Sequence, residues 1–345
     1  MLKDLIKLKY LGLDGGLIKF IVENFSSSDR TLLFAGGAFE LHFKYNIFGE
    51  GDLIAFYNED NLKKAEEYAN NLIFKSKEQN IQIVSYYDEE YPTNLKDIKQ
   101  RPLFIFVKGN TNLLNIPRSV ACVGTRDASE KTLNLVRDIV KELVEEEIVI
   151  ISGLAKGIDA EAHKQCLANN GKTVAVLAHG LDTMYPKENT GLAETILEKG
   201  GTLISEYPIG TKGHKSYFVA RNRIVSGLSE GVIVFEAEEK SGTMHTARFA
   251  YTQGKKIFCP NVVSNNGKLS SGVEKLLNTG SAFPISTGKD LVYELFKNET
   301  NTININLRPS TVKALESISK KREVSVQELV NSILLNFIEG ERGNG

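Results

Sequence analysis

Val120-Ala-Cys-Val-Gly-Thr-Arg-Asp-Ala-Ser129 and Ile148-Val-Ile-Ile-Ser-Gly-Leu-Ala-Lys-Gly-Ile-Asp159 are two versions of one pattern. In each, a short apolar run breaks off into small, glycine-containing polar sequence and then enters a helical pattern. A buried strand followed by such a turn leaves backbone N–H groups at the helix start, where an anion fits. Parallel strands gather such turns at their carboxyl ends. The pair therefore predicts an α/β fold and a phosphate-bearing ligand shared by two loops, which carry Arg126 and Lys156.

Outward from this pair the rhythm of strand, turn and helix repeats. Helices are expected over Ser129–Glu146 and from about Asp159 to Asn169, with a strand at Thr173–Leu177. A helix at Leu192–Glu198, a strand at Leu203–Ser205 and a helix at Asn222–Leu228 come next. Val232–Phe235 and Lys256–Cys259 read as strands around a helix at Thr243–Gln253. That alternation predicts a doubly wound domain with a mostly parallel sheet.

Upstream, Leu2, Leu5, Ile6, Leu17, Ile18, Ile21 and Val22 lie at helical spacing, punctuated by Gly12, Gly15 and Gly16. Short helices joined by tight turns are expected, forming a small helical domain over 1–75. A helix from about Leu62 to Glu78 then leads to a strand at Ile81–Tyr86, and Phe104–Val107 reads as a buried strand. The α/β domain is expected over 80–290, with 291–301 as a polar connector.

Beyond the connector the pattern changes. Thr302-Ile-Asn-Ile-Asn-Leu-Arg308 alternates strictly, as a half-buried strand does, and Pro309-Ser310 starts a helix. A turn at Lys320-Lys321-Arg322 precedes a capping box, Ser325-Val-Gln-Glu328. One strand and two helices over 302–339 are too few to enclose their own apolar face, so a partner chain is expected.

The 345 residues are 41% hydrophobic and 25% charged, ordinary for a globular chain of two or three domains. A net charge of −1 excludes a broadly basic protein that coats nucleic acid; any such site must be a local basic patch. The three cysteines, Cys122, Cys166 and Cys259, stand far apart, without metal-ligand spacing, and read as buried thiols of the reducing cytoplasm. No signal peptide and no membrane span is evident.

Four convergent loops make the case for an anion site. Gly124-Thr125-Arg126 opens it, with Ser129 at the following helix start, and Gly153, Lys156 and Gly157 form the second loop. Arg221-Asn222-Arg223, at an expected helix start, supplies two guanidinium groups, and Ser241-Gly242-Thr243 is a further small-residue turn. Asp159 and His163, one turn apart, are expected to cap and pack their helix rather than hold a metal. Glu206, Glu236 and Glu238 end strands and are expected to salt-bridge the arginines and keep the loops rigid. Phe218 and the Tyr86–Tyr87 pair offer base-stacking surfaces. No Ser-His-Asp or Cys-His arrangement, metal site or cofactor site emerges from the sequence, and no enzyme is expected.

The ordered motifs resemble the DNA-processing protein DprA (Smf) family. They comprise Val-Gly-Thr-Arg-x-Ala-Ser129, Ser152-Gly-Leu-Ala-Lys-Gly-Ile-Asp-Ala-Glu-Ala-His163 and Gly180-Leu-Asp-x-x-Tyr-Pro-Lys-Glu-Asn189. Gly201-Thr-Leu-Ile-Ser-Glu-Tyr-Pro208, Phe218-Val-Ala-Arg-Asn-Arg-Ile-Val-Ser-Gly-Leu228 and Ser241-Gly-Thr-Met-His-Thr-Ala247 continue them. The resemblance implies a Rossmann-like domain that binds single-stranded DNA, dimerises, and hands the strand to a RecA-type recombinase in transformation or repair. By motif it places DNA contacts on Gly124, Thr125, Arg126, Lys156, Lys187, Arg221 and Arg223.

Two departures from the family pattern stand out. Cys259-Pro-Asn261 has asparagine where glycine would be usual. The tail resembles a ribbon-helix-helix module where members often end in a winged helix. Such modules pair strands between two chains. Ile303, Ile305 and Leu307 would face the core, leaving Thr302, Asn304, Asn306 and Arg308 towards duplex DNA, where asparagine reads adenine. Lys320, Lys321 and Arg322 would meet backbone phosphates. Two other classes compete: a sensor of free nucleotide, and a nucleotide hydrolase with a Pro-Gly-Gly-x-Gly-Thr-x-x-Glu signature, of which this chain has Thr246 in place of the glutamate.

Overall fold

The computed structural model describes residues 1–261, 269–296 and 309–322, with isolated positions 326, 329, 330 and 333. The chain divides into two compact units, 1–296 and 297–345.

The first unit begins with six helices: α1 (Leu2–Tyr10), α2 (Gly15–Asn24), α3 (Ser27–Phe34), α4 (Ala38–Tyr45), α5 (Glu50–Tyr57) and α6 (Glu59–Glu78). Several of their starts carry capping side chains, as polar residues ahead of apolar periods predict. Asp14 accepts from the N–H groups of Gly16 and Leu17, and Ser26 and Asp29 form a capping box. Leu5, Leu8, Ile18, Ile21, Leu33 and Phe56 form the centre of this bundle. The bundle is continuous with the α/β core: Ile6 of α1 and Ala69 and Leu72 of α6 pack with Ala175, Leu177 and Leu203 of the sheet.

Next come β1 (Gln82–Ser85), α7 (Thr93–Lys96), β2 (Phe104–Gly109), β3 (Ser119–Val123), α8 (Glu130–Glu145), β4 (Val149–Ser152), α9 (Ile158–Ala168) and β5 (Thr173–Leu177). Then come α10 (Thr190–Glu198), β6 (Thr202–Ser205), α11 (Lys215–Leu228), β7 (Gly231–Val234), α12 (Thr243–Thr252) and β8 (Lys256–Pro260). α13 (Ser271–Asn278), β9 (Phe283–Ile285) and α14 (Gly288–Phe296) complete the unit. The nine strands form one sheet in the order β1-β2-β6-β5-β4-β3-β7-β8-β9. β2 runs antiparallel to β1 and β6, and the remaining pairs are parallel. The fold is the expected doubly wound α/β sheet.

Both faces are covered, which is why the parallel strands are apolar throughout rather than alternating. Ala121, Val123, Ile151 and Val232 face α11 and α12 through Ile224, Val225, Leu228, Ala247 and Ala250. Val120, Cys122, Ile150 and Ile233 face α8 and α9 through Val136, Ile139, Leu143, Ile158 and Ala162. Strand order grows away from β3 in both directions, through β4 on one side and β7 on the other. A crevice therefore opens at the carboxyl ends of β3, β4 and β7.

Three boundaries differ from the sequence reading. α11 starts at Lys215 rather than Asn222, because His214 caps it by accepting the N–H of Ser216. Residues 291–296, read as connector, are the end of α14; Leu291 is fully buried there among Ile139, Leu143 and Phe258. In the second unit α15 (Pro309–Arg322) runs through Lys320, Lys321 and Arg322, which stand in its last turn where the helix dipole favours cations. The expected ribbon strand, with Thr302, Asn304, Asn306 and Arg308, and the capping box at Ser325 and Glu328 lie outside the described residues. All three cysteines are buried and free, and burial pushes their thiols up, to about 12 for Cys166 and Cys259. No helix of the described residues is long and apolar enough to cross a membrane.

Candidate nucleic-acid interface

The crevice at the switch point is a cleft of about 1010 Å³. Gly124, Thr125, Arg126, Gly153, Lys187, Arg221, Asn222, Ser241, Gly242 and Thr243 line it. Three small-residue turns, at 124–126, 153 and 241–243, and the side of α11 that carries Arg221 and Asn222 thus meet at the cleft. The convergence depends on the absence of side chains at specific points. Gly157 has φ +73, and a Cβ there would fall 2.6 Å from Arg126 O, so only glycine lets the second loop lie against the first. A Cβ on Gly124 would collide with Ile158.

Several backbone N–H groups of the two turns are engaged within the chain. Ser129 N donates to Glu236 Oε2 at 3.2 Å, Thr132 Oγ1 donates to the same oxygen at 2.5 Å, and Thr125 N donates to Glu236 O at 2.8 Å. At the second loop, Gly153 N and Ala155 N donate to Asp159 Oδ2 at 3.2 and 3.4 Å. Carboxylates of the chain itself therefore hold both turns. Exposed side chains add to the charge offered to a ligand, and Ser129 is not among the residues that line the cleft. Glu236 differs from the sequence expectation: it braces α8 rather than an arginine.

Arg221 lines the cleft and Arg223 does not. Both are buried, but side chains two apart on a helix point to different sides. Arg221 reaches under the second loop, donating from Nη1 to Gly153 O at 2.6 Å and to Val176 O. Burial pulls its guanidinium down to about 10, so it stays protonated at neutral pH. Asp159, pushed up by burial, lies in its field. Arg223 turns away, and its Nη2 donates to both Glu206 carboxylate oxygens at 2.7 and 2.8 Å, outside the cleft. Lys156 also lies outside it, paired with Glu188 at 2.6 Å on the surface.

Two cations absent from the sequence reading stand in the cleft, Lys212 and Lys215, with Tyr185. Arg126, Lys187, Lys212 and Lys215 are exposed and make no ion pair among the described residues. With Arg221 they oppose one lining carboxylate among the described residues, Asp159, which accepts from the second loop. Phe218 supplies a flat face: the Arg126 guanidinium lies 5.9 Å from its centroid, and the Tyr185 ring 5.3 Å away. Tyr86 and Tyr87 line a different cavity.

Asn189 ties the surroundings together, donating to Leu154 O at 2.9 Å and Ala155 O at 3.2 Å. Leu154 is held at φ 57, a left-handed conformation rare outside glycine and asparagine. His163 is a core group: its Nδ1 donates to Thr173 Oγ1 at 2.7 Å, and burial lowers it to about 3. No cluster able to hold a metal occurs among the described residues. Thr246 lines the cleft as a buried hydroxyl. The arrangement can neutralise several phosphates and stack a base.

The family model described as DNA recombination-mediator protein A matches residues 82–296, more than half of the chain. The chain is 41% identical over 211 residues to DNA processing protein DprA of Streptococcus pneumoniae, covering 61% of this chain and 73% of that protein. It is 41% identical over 182 residues to the Bacillus subtilis protein, covering 53% and 61%. The solved structure of the S. pneumoniae protein superposes with a TM-score of 0.69 at 33% identity, covering 86% of this chain and 98% of that one. A Helicobacter pylori DNA processing protein A, described for its single-stranded DNA binding mode, gives a TM-score of 0.57 at 31% identity, covering 63% and 97%.

Proposed function

The chain belongs to the DNA recombination-mediator protein A family, and on that premise we propose that its central cleft binds single-stranded DNA without cleaving it. One observation carries the reading. Four surface cations without an ion pair among the described residues, Arg126, Lys187, Lys212 and Lys215, converge with Phe218 on a cleft whose one lining carboxylate among those residues is engaged internally. Cations for phosphates beside an aromatic face for bases are what sequence-tolerant strand binding requires. A chain of net charge −1 gains nothing from diffuse attraction, so the local excess is what draws the strand in.

The bound strand would be shielded in the cytoplasm and passed to a RecA-type recombinase. The family description as a recombination mediator supports this step. The tail is proposed as a ribbon-helix-helix module of 302–339 that pairs two chains and contacts duplex DNA. The basic last turn of α15 supports that reading. Truncation after Phe296 is expected to spare single-strand binding and abolish duplex binding. Competition of labelled oligothymidylate by mononucleotides, dinucleotides and duplex tests the assignment. Displacement by long single strands alone supports it. Displacement by equimolar mononucleotide would instead mark a nucleotide sensor.

A further inference from the structure

Arg223, which the main cleft does not use, lines a second cavity. From α11 its Nε donates to Gln100 O at 3.0 Å, while Nη2 grips Glu206. Gln100 has φ 57, a left-handed conformation that is unfavourable for a non-glycine residue. The buried arginine thus clamps a strained turn, and the turn carries Lys99 and Arg101 into a cavity of about 720 Å³. Across it, Lys9 of α1 and Lys19 of α2 face them, Lys19 loosely paired with Glu23 at 3.9 Å. Lys9, Lys19 and Lys99 are exposed and Arg101 half-buried. Of the two carboxylates in the lining, Glu206 is neutralised by Arg223, which leaves Asp97.

Aromatic surface accompanies this charge. Tyr86 and Tyr87 line the cavity with ring centroids 5.2 Å apart, and the Arg101 guanidinium lies 4.6 Å from the Tyr86 centroid. This is the chemistry of the main cleft, where Arg126 lies over Phe218. Tyr207, next to Glu206 of the second cavity, stacks on Tyr217, next to Phe218 of the first, at 4.3 Å and 24°. The two arginines of Arg221-Asn222-Arg223 therefore brace one site each from a single helix.

We propose that the cavity between the α1–α2 corner and the Lys99–Arg101 turn is a second subsite for the same single strand, which reaches it over Tyr207 and Tyr217. The proposal rests on the main cleft being the primary strand site. The test uses the full-length protein carrying Lys9→Glu and Lys99→Glu, two exposed positions, with an unchanged melting temperature as the folding control. Binding is measured with oligothymidylate of about 6 and about 30 nucleotides, sizes that bracket one module and an extended path. The double variant should bind the short strand as before. It should bind the long one about tenfold more weakly, with the salt slope reduced by about 1.4 for two lost phosphate contacts. 2-Aminopurine walked along the long strand should show two quenched segments in the parent protein and one in the variant. An undiminished affinity for the long strand, or an equal loss at both lengths, overturns the second subsite. Arg126→Ala is measured in parallel: if it spares both lengths, the main-cleft reading fails instead.

Discussion

Arg221 occupies the space that a side chain at position 153 would need. Its guanidinium donates to Gly153 O at 2.6 Å, and a Cβ built on Gly153 would collide with that same guanidinium. The second loop and the cation beneath it are therefore fitted to each other. Gly153→Ala should destabilise the fold by about 1–3 kcal/mol, the range for overpacking a filled site. It should also weaken strand binding, because the loop and Arg221 must separate. Denaturant titration and oligothymidylate binding check both.

Stacking and charge in the cleft are separable. Phe218→Ala should cost about 1–3 kcal/mol of binding for a stacked base while leaving the salt dependence unchanged. Lys212→Ala with Lys215→Ala should lower the salt slope by about 1.4, as two phosphate contacts disappear. Titrations at several salt concentrations distinguish the two effects.

Glu236 is a brace. It accepts from Ser129 N, Ser129 Oγ and Thr132 Oγ1 at the start of α8. Glu236→Gln should lower stability by about 1 kcal/mol through loss of a charged cap at a helix N-terminus. Nucleoside monophosphates incubated with the parent protein, with or without magnesium, should remain intact. Hydrolysis that vanishes in the Glu236→Gln variant would make this residue catalytic instead.

His163 makes the fold acid-sensitive. The unfolded chain takes up its proton near pH 6.5, the folded chain near about 3, because burial disfavours the imidazolium. Protons therefore favour the unfolded state between these values, and stability falls as pH falls through that window. The contribution is up to about 1.4 kcal/mol per pH unit. His163→Gln should flatten the dependence of the urea midpoint on pH between 6.5 and about 4 relative to the parent.

Legibility in the sequence tracks the range of the interactions. β3 and β4 read directly, since a strand buried on both faces is an uninterrupted apolar run ended by a turn. The same local chemistry marks Gly124–Arg126, Gly153 and Ser241–Thr243 as cleft residues. Lys212 and Lys215 escape because the stretch before α11 has no apolar period, which also hides the helix start at Lys215. With that start misplaced, Arg221 and Arg223 read as two guanidinium groups of one site rather than as residues on separate sides of a helix. The bracing of the first turn by Glu236 is hidden for another reason. Glu236 is far in sequence from Ser129, and only the pairing of β3 with β7 brings them together.

The central claim is that the cleft at the ends of β3, β4 and β7 grips the phosphates of a single strand. The most direct measurement is the affinity of Arg126→Ala for single strands of several sequences over a range of salt. Arg126 is exposed, and no ion pair ties it to the fold among the described residues. The account predicts a similar loss for every sequence, about tenfold at physiological salt, and a slope shallower by about 0.7 for one phosphate contact. Affinity and slope both equal to the parent's would contradict it.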